Sequence, residues 1–225
     1  MNTNTTPLLT TRITFPEISL RARDAHKLRG YFGNLFREHS PLLHNHLEDG
    51  RVLYKYPLVQ YKIINEVPTL VGFDEGARLL TELFLKITEL DIDGRKYPVL
   101  AKNIEAKTVQ VGLSDQLNIY QFETLWMALN QDNYNLYNAY PAERQQDQLR
   151  GIATQNILGF FSAFKLTLTP EQRVMVALKV QERETQFKNN RMTAFTGELI
   201  TNALIPDLAG IGKAVARGFG TLRKI

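Results

Sequence analysis

"LVQYKIINEVPTLVGFDEGARLLTELFLKITEL", residues 58–90, packs two strands and a helix into immediate succession. β-Branched and aromatic residues crowd the runs on either side of Asn65-Glu66, which reads as their turn. The period then changes. Leu79, Leu80, Leu83, Phe84 and Ile87 recur at helical spacing and make the apolar face of an amphipathic helix.

Working outward, "RITFPEISL" (12–20) alternates Ile13, Phe15, Ile18 and Leu20 around Pro16, which predicts an edge strand. "RDAHKLRGYFGNLFREH" (23–39) sets Leu28, Tyr31, Phe32, Leu35 and Phe36 at helical spacing, and Pro41 ends that helix. Downstream, Asp93-Gly94 in "ELDIDGRKYPVL" (89–100) is a hairpin-turn signal. "IEAKTVQVGL" (104–113) reads as a further strand. The order β, α, β, β, α, β is the ferredoxin-like pattern.

The second half repeats it in part. "DQLNIYQFETLWMAL" (115–129) is extended, and "PAERQQDQLRGIATQNILGFFSAF" (141–164) is a helix opened by Pro141. "VMVALKVQERETQF" (174–187) and "MTAFTGELITN" (192–202) read as two strands joined across Asn189-Asn190. "LTPEQRVM" (168–175) also resembles a helix start, but the valines favour a strand. The expectation is an α+β chain of two tandem ferredoxin-like (RRM-like) domains, residues 1–114 and 115–225, with the boundary near Gly112 to Gln116.

Composition bounds the chemistry. The 225 residues include no cysteine, which excludes disulfides, zinc–thiolate sites and thiol nucleophiles and is compatible with a reducing cytoplasm. No long apolar window predicts a membrane span, and the first residues do not read as a secretory signal. The net charge of +4 is unevenly placed. Arg21 to Lys62 holds eight Lys or Arg against four Asp or Glu, and Asp207 to Ile225 holds four cations and one acid. Two basic regions suit a polyanion, although solvated faces of a mildly basic protein would look the same.

The second basic region contains "GIGKAVARGFG" (210–220). It is not a P-loop, because Asp207 and Ala214 occupy required positions, and not a dinucleotide fingerprint, because Val215 replaces the third glycine. Arg217-Gly218-Phe219-Gly220 starts like an RRM signature, but Thr221 and Lys224 stand where stacking aromatics belong. What remains is a cationic glycine-rich turn whose N–H groups can approach phosphates. A bend at a sheet edge would need glycine equally.

"TGELITNALIPDLAGIGKAVARGFGTLRKI" (196–225) resembles the C-terminal glycine-rich signature of the RAMP proteins of CRISPR systems, most of all their repeat-processing endoribonucleases. "LRGYFGNLFREHSPLLHNHLEDGRVLYKYPLVQYK" (28–62) resembles the N-terminal domain of one subgroup. The resemblance implies two ferredoxin-like domains and cleavage of precursor CRISPR RNA. It implies RNA contacts at Gly210, Gly212, Lys213, Arg217, Gly218, Gly220 and Arg223.

Three of the four histidines, His39, His44 and His46, lie within eight residues; His26 and His39 read as surface positions. In an extended loop His44 and His46 point the same way. Imidazoles suit a reaction in which one group takes a ribose 2′-OH proton and another protonates the departing 5′-oxygen. The resemblance matches His44 and His46 to a paired-histidine catalytic site, Tyr54 to its tyrosine and Arg37 to its cation, with Tyr56 an alternative to Tyr54. Arg37 stands where a lysine would fit the family better. No metal or cofactor is required. His-x-His beside Glu48 and Asp49 is also a metal spacing, with further ligands to be found elsewhere.

CRISPR repeat RNA is the expected partner. A non-catalytic RAMP subunit holding guide RNA in an effector complex is the alternative, and a protein- or metal-binding α+β domain unrelated to RNA a third. Apolar faces on two small domains are compatible with a homodimer.

Overall fold

A computed structural model describes residues 4–35, 56–187 and 190–225. The chain forms two compact units, each taking a small piece of sequence from the opposite end. The N-terminal unit is Pro7–Val109 with Val215–Gly218; the C-terminal unit is Met1–Thr6, Gln110–Ala214 and Phe219–Ile225.

In the N-terminal unit the strands are β1 (Thr5–Thr14), β2 (Val59–Ile64) and β3 (Val67–Phe73), joined by the first part of β6 (Asn103–Phe122). They lie in the order β2-β3-β1-β6. Positive φ at Asn65 and Glu66 makes the tight β2–β3 turn that the sequence marks. Helices α1 (Ala25–Leu35) and α2 (Glu75–Leu83) cover one face. Leu28 and Phe32 of α1, Leu79, Leu80 and Leu83 of α2, and Ile13, Leu70 and Tyr61 of the strands form its core. Leu35, expected on the apolar face, is largely exposed. Asp93 and Gly94, both at positive φ, turn β4 (Glu89–Ile92) into β5 (Arg95–Pro98) as a separate hairpin. One expectation fails: β1 lies between β3 and β6 rather than at an edge. Pro16 falls beyond the end of the strand, so it removes no ladder hydrogen bond.

The C-terminal unit is built on the rest of β6, with β7 (Val176–Phe187), β8 (Asn190–Leu204) and β9 (Leu222–Lys224) in the order β9-β6-β8-β7. Helix α4 (Ala142–Ala163) follows Pro141 and buries Leu149, Ala153, Ile157, Phe160 and Phe161 along one stripe. Trp126 is fully buried, stacked on Phe122 with centroids 5.3 Å apart and donating through Nε1 to Asn156 Oδ1 at 3.2 Å. A further helix, α3 (Gln131–Ala139), precedes α4; the Asn130 side chain caps it by accepting from the Asn133 N–H at 2.7 Å. "LTPEQRVM" is strand only from Val176 onward, with a turn at its start. This ferredoxin-like unit is abbreviated: between β8 and β9 no α-helix forms, and the glycine-rich segment takes that place.

Candidate nucleic-acid interface

The glycine-rich segment divides between the units. Within the C-terminal unit, Gly210 bridges Thr221, the Ile211 N–H donates to the Gly220 carbonyl at 2.9 Å, and Lys213 N–H donates to the Met127 carbonyl at 3.0 Å. The segment therefore doubles back on itself before β9. A Cβ on Gly212 would lie 2.7 Å from Trp126 Nε1, and one on Gly220 only 2.0 Å from the Ile211 oxygen. These glycines serve close packing of protein on protein. Of the cations here, Lys213 is exposed. Arg223 donates from Nε to Glu123 Oε1 at 2.8 Å, so an acid already balances part of its charge.

The N-terminal unit holds the other part. Residues 215–217 form one 3-10 turn with Val215 buried, and Gly218 N–H closes it onto the Val215 carbonyl at 3.2 Å. Gly218 has φ +86°, and a Cβ there would approach Ala25 Cβ and the Tyr61 carbonyl oxygen, each at 3.1 Å. The turn is thus pressed between the start of α1 and β2, the edge strand. Arg217 precedes Gly218 in this turn, and Arg29 stands one helical turn beyond Ala25 on α1, within reach of the charge of Arg217. Burial lowers the proton affinity of the half-buried Arg29 guanidinium, and the charge of Arg217 lowers it further. The Tyr61 phenol acts on Arg29 in the opposite sense. Tyr61 itself is fully buried and its phenol pushed upward by that burial, against the pull of Arg29.

Strand alternation sends the next residue the other way. Tyr61 faces the helices, and Lys62, fully buried, faces the opposite side of the sheet. Burial pulls its ammonium down to about 7. A lysine inside a mostly apolar strand, "LVQYKII", is the visible sign of this group. Arg29 gave no comparable sign.

Of the catalytic candidates, Arg37, His44, His46 and Tyr54 lie outside the described residues, as do His39, Glu48 and Asp49. Tyr56 is described, its ring centroid 6.2 Å from that of Phe73. Tyr31 packs against the core and its hydroxyl donates to the Glu89 carbonyl at 2.6 Å, a structural use. His26 is exposed, with Nδ1 donating to the Arg23 carbonyl at 2.7 Å. Among the described residues no group of three or more His, Asp or Glu could hold a metal, and no helix is long and apolar enough to cross a membrane.

The geometry has counterparts among known proteins. Residues 6–110 match the Cas6b N-terminal domain and residues 112–225 the Cas6b C-terminal domain. A crystal structure of Cas6b is 33% identical and superposes with a TM-score of 0.91, covering 98% of this chain and 100% of its own. A second solved structure, of the CRISPR RNA processing endoribonuclease Cas6b, is 30% identical with a TM-score of 0.79 over the same shares of both chains. An uncharacterized protein of Methanocaldococcus jannaschii is 30% identical over 145 residues, which is 64% of this chain and 97% of that one.

Proposed function

The chain belongs to the Cas6b family, and from that premise we propose that it is a metal-independent endoribonuclease that cuts precursor CRISPR RNA within its repeats. The observation that carries this is the match of both domains, end to end, to a relative described as a CRISPR RNA processing endoribonuclease. The basic regions at Arg21 to Lys62 and Asp207 to Ile225 give that reading a physical footing, because clustered cations favour a polyanion.

In the proposed reaction the ribose 2′-oxygen attacks the adjacent phosphorus. The bond to the 5′-oxygen breaks, leaving a 2′,3′-cyclic phosphate and a 5′-hydroxyl. His44 and His46 share the work of taking the 2′-OH proton and giving one to the departing oxygen. Arg37 stabilises the charge that builds on the phosphate oxygens, and Tyr54 or Tyr56 completes the site. These residues belong to the stretch that joins the end of α1 to the start of β2. Lys213, Arg217 and Arg223 of the tail hold the RNA strand, presented by the tight turns that the glycines at 210, 212, 218 and 220 permit.

Repeat RNA incubated with the protein in EDTA tests the reading. Cleavage with cyclic-phosphate ends is expected, and a 2′-deoxy substitution at the scissile nucleotide should abolish it. Tight binding without any cutting would instead make the chain a guide-holding subunit.

A further inference from the structure

We propose that the first part of β6, residues 103–109, is a dimerisation edge: a second copy of this chain adds its own β6 there, antiparallel, about a two-fold axis at Ala106. The inference goes beyond the RNA-cleaving function and does not rest on it.

This part of β6 has β1 along one side, and β8 joins the other side only from Gly112 onward. Among the described residues no strand pairs with residues 103–109 on that second side. The backbone N–H and C=O of every other residue therefore point outward, ready to pair with another strand. Ala106 and Thr108 are exposed, and Ile104 keeps 38% of its surface accessible. No proline interrupts the stretch.

The charges along the edge select its occupant. Residues opposite one another in an antiparallel ladder are both hydrogen-bonded or both not, so a strand pairs with its own copy about an axis that falls at a residue. With the axis at Ala106, Glu105 stands opposite Lys107 of the second copy, and Lys107 opposite Glu105 of the second copy. Glu105 and Lys107 share one face of the strand, with Lys107 Nζ 2.7 Å from Glu105 Oε1, and Arg12 of β1 pairs with the same carboxylate. The row across the interface then alternates in sign, from Arg12 to Glu105 to Lys107 of the second copy. An axis one residue away, at Glu105 or at Lys107, would set a charge against itself.

The other ends of the strand order fit themselves less well. In β7 an axis at Gln181 sets Lys179 against Arg183, and axes at Glu182 or Arg183 set each of those against itself. β2 is buried along residues 59–63. One added strand on β6 falls short of the roughly 1,200–2,000 Å² that stable complexes bury, so the dimer is a weak one.

Sedimentation velocity of the full chain, without RNA, tests this. The wild type should show a monomer–dimer equilibrium with a dissociation constant on the order of 10–100 µM. Glu105→Lys and Lys107→Glu should each stay monomeric, because like charges then meet at both cross-strand pairs. Mixed in equal amounts, the two variants should dimerise with each other, since every reversed charge faces its complement on the other chain. Circular dichroism checks that both are folded. The sequence has no cysteine, so Ala106→Cys carries a single thiol, and a short bismaleimide should join two copies through it. The same reagent should leave Gln181→Cys uncoupled. A wild type that remains monomeric at about 1 mM would overturn the proposal. So would a dimer that survives both single charge reversals, one that forms only when RNA is added, or one that couples through Gln181→Cys and not Ala106→Cys.

Discussion

The carbonyl oxygen of Ile211 lies 2.0 Å from where a Cβ on Gly220 would sit, and Gly220 has φ +62°. Both the backbone conformation and the available space exclude a side chain there. The neighbour is main chain, which cannot swing aside as a flexible side chain would.

Gly220→Ala is therefore expected to lower stability by about 2–4 kcal/mol, from the left-handed conformation and the forced backbone shift together. Gly151→Ala and Gly159→Ala, in α4 with nothing within 4 Å of the added carbon, should each stabilise the protein by about 0.5–1 kcal/mol. Urea unfolding of the three variants checks this; a Gly220→Ala midpoint equal to the wild type would contradict the geometry.

Lys62 should make stability rise with pH. Its folded pKa is about 7 against an ordinary 10.5, so between these values the unfolded chain holds a proton that the folded chain lacks. The destabilisation is full below about pH 7 and fades as pH climbs toward 10.5, by up to about 1.4 kcal/mol per pH unit. Lys62→Met should flatten this dependence between pH 7 and 10. Parallel slopes for variant and wild type in unfolding experiments at pH 7, 8 and 9 would show that Lys62 does not titrate this way.

His44→Ala and His46→Ala should each slow cleavage of repeat RNA by about 10²–10⁴-fold while leaving binding nearly unchanged. Single-turnover assays in EDTA separate the two quantities. Full activity in both variants and in their combination would remove the histidines from the mechanism.

With Arg223 in its proposed RNA-binding role, Glu123 and the RNA compete for the same guanidinium. Removing the acid's charge by Glu123→Gln should raise affinity for repeat RNA about threefold, the scale of a partly exposed ion pair. Arg223→Ala should cancel that gain. Filter binding at low and moderate salt measures both, and a loss of affinity in Glu123→Gln would count against any RNA contact at Arg223.

Local chemistry made much of the fold legible. Asn65-Glu66 and Asp93-Gly94 announce their turns, Pro141 opens α4, and the valine-rich 174–187 segment yields β7. α3 escaped notice because only Tyr137 of its nine residues is buried, so it has almost no apolar period; the capping Asn130 was its one local sign. Pro16 suggested an edge for β1 because a proline's effect depends on whether it falls inside the ladder, which spacing alone does not specify. The influence of Arg217 on Arg29 was the least visible. An arginine on an amphipathic helix reads as solvated, and only the folded path of residues 215–218 brings a second charge within its reach. The glycines were legible as a motif, but the packing that Gly212 and Gly220 permit against Trp126 and Ile211 is a tertiary property.

The exchange of short segments between the units limits how this protein can be cut and recombined. The carbonyl of Asn4 accepts from the Leu113 N–H at 3.0 Å, so the first residues complete the C-terminal unit, while Val215–Gly218 complete the N-terminal one. A fragment ending at residue 110 lacks its turn, and a fragment beginning there lacks its opening strand residues. The halves are consequently poor cassettes: swapping one for that of a relative transplants an unfinished body unless the borrowed segments travel with it.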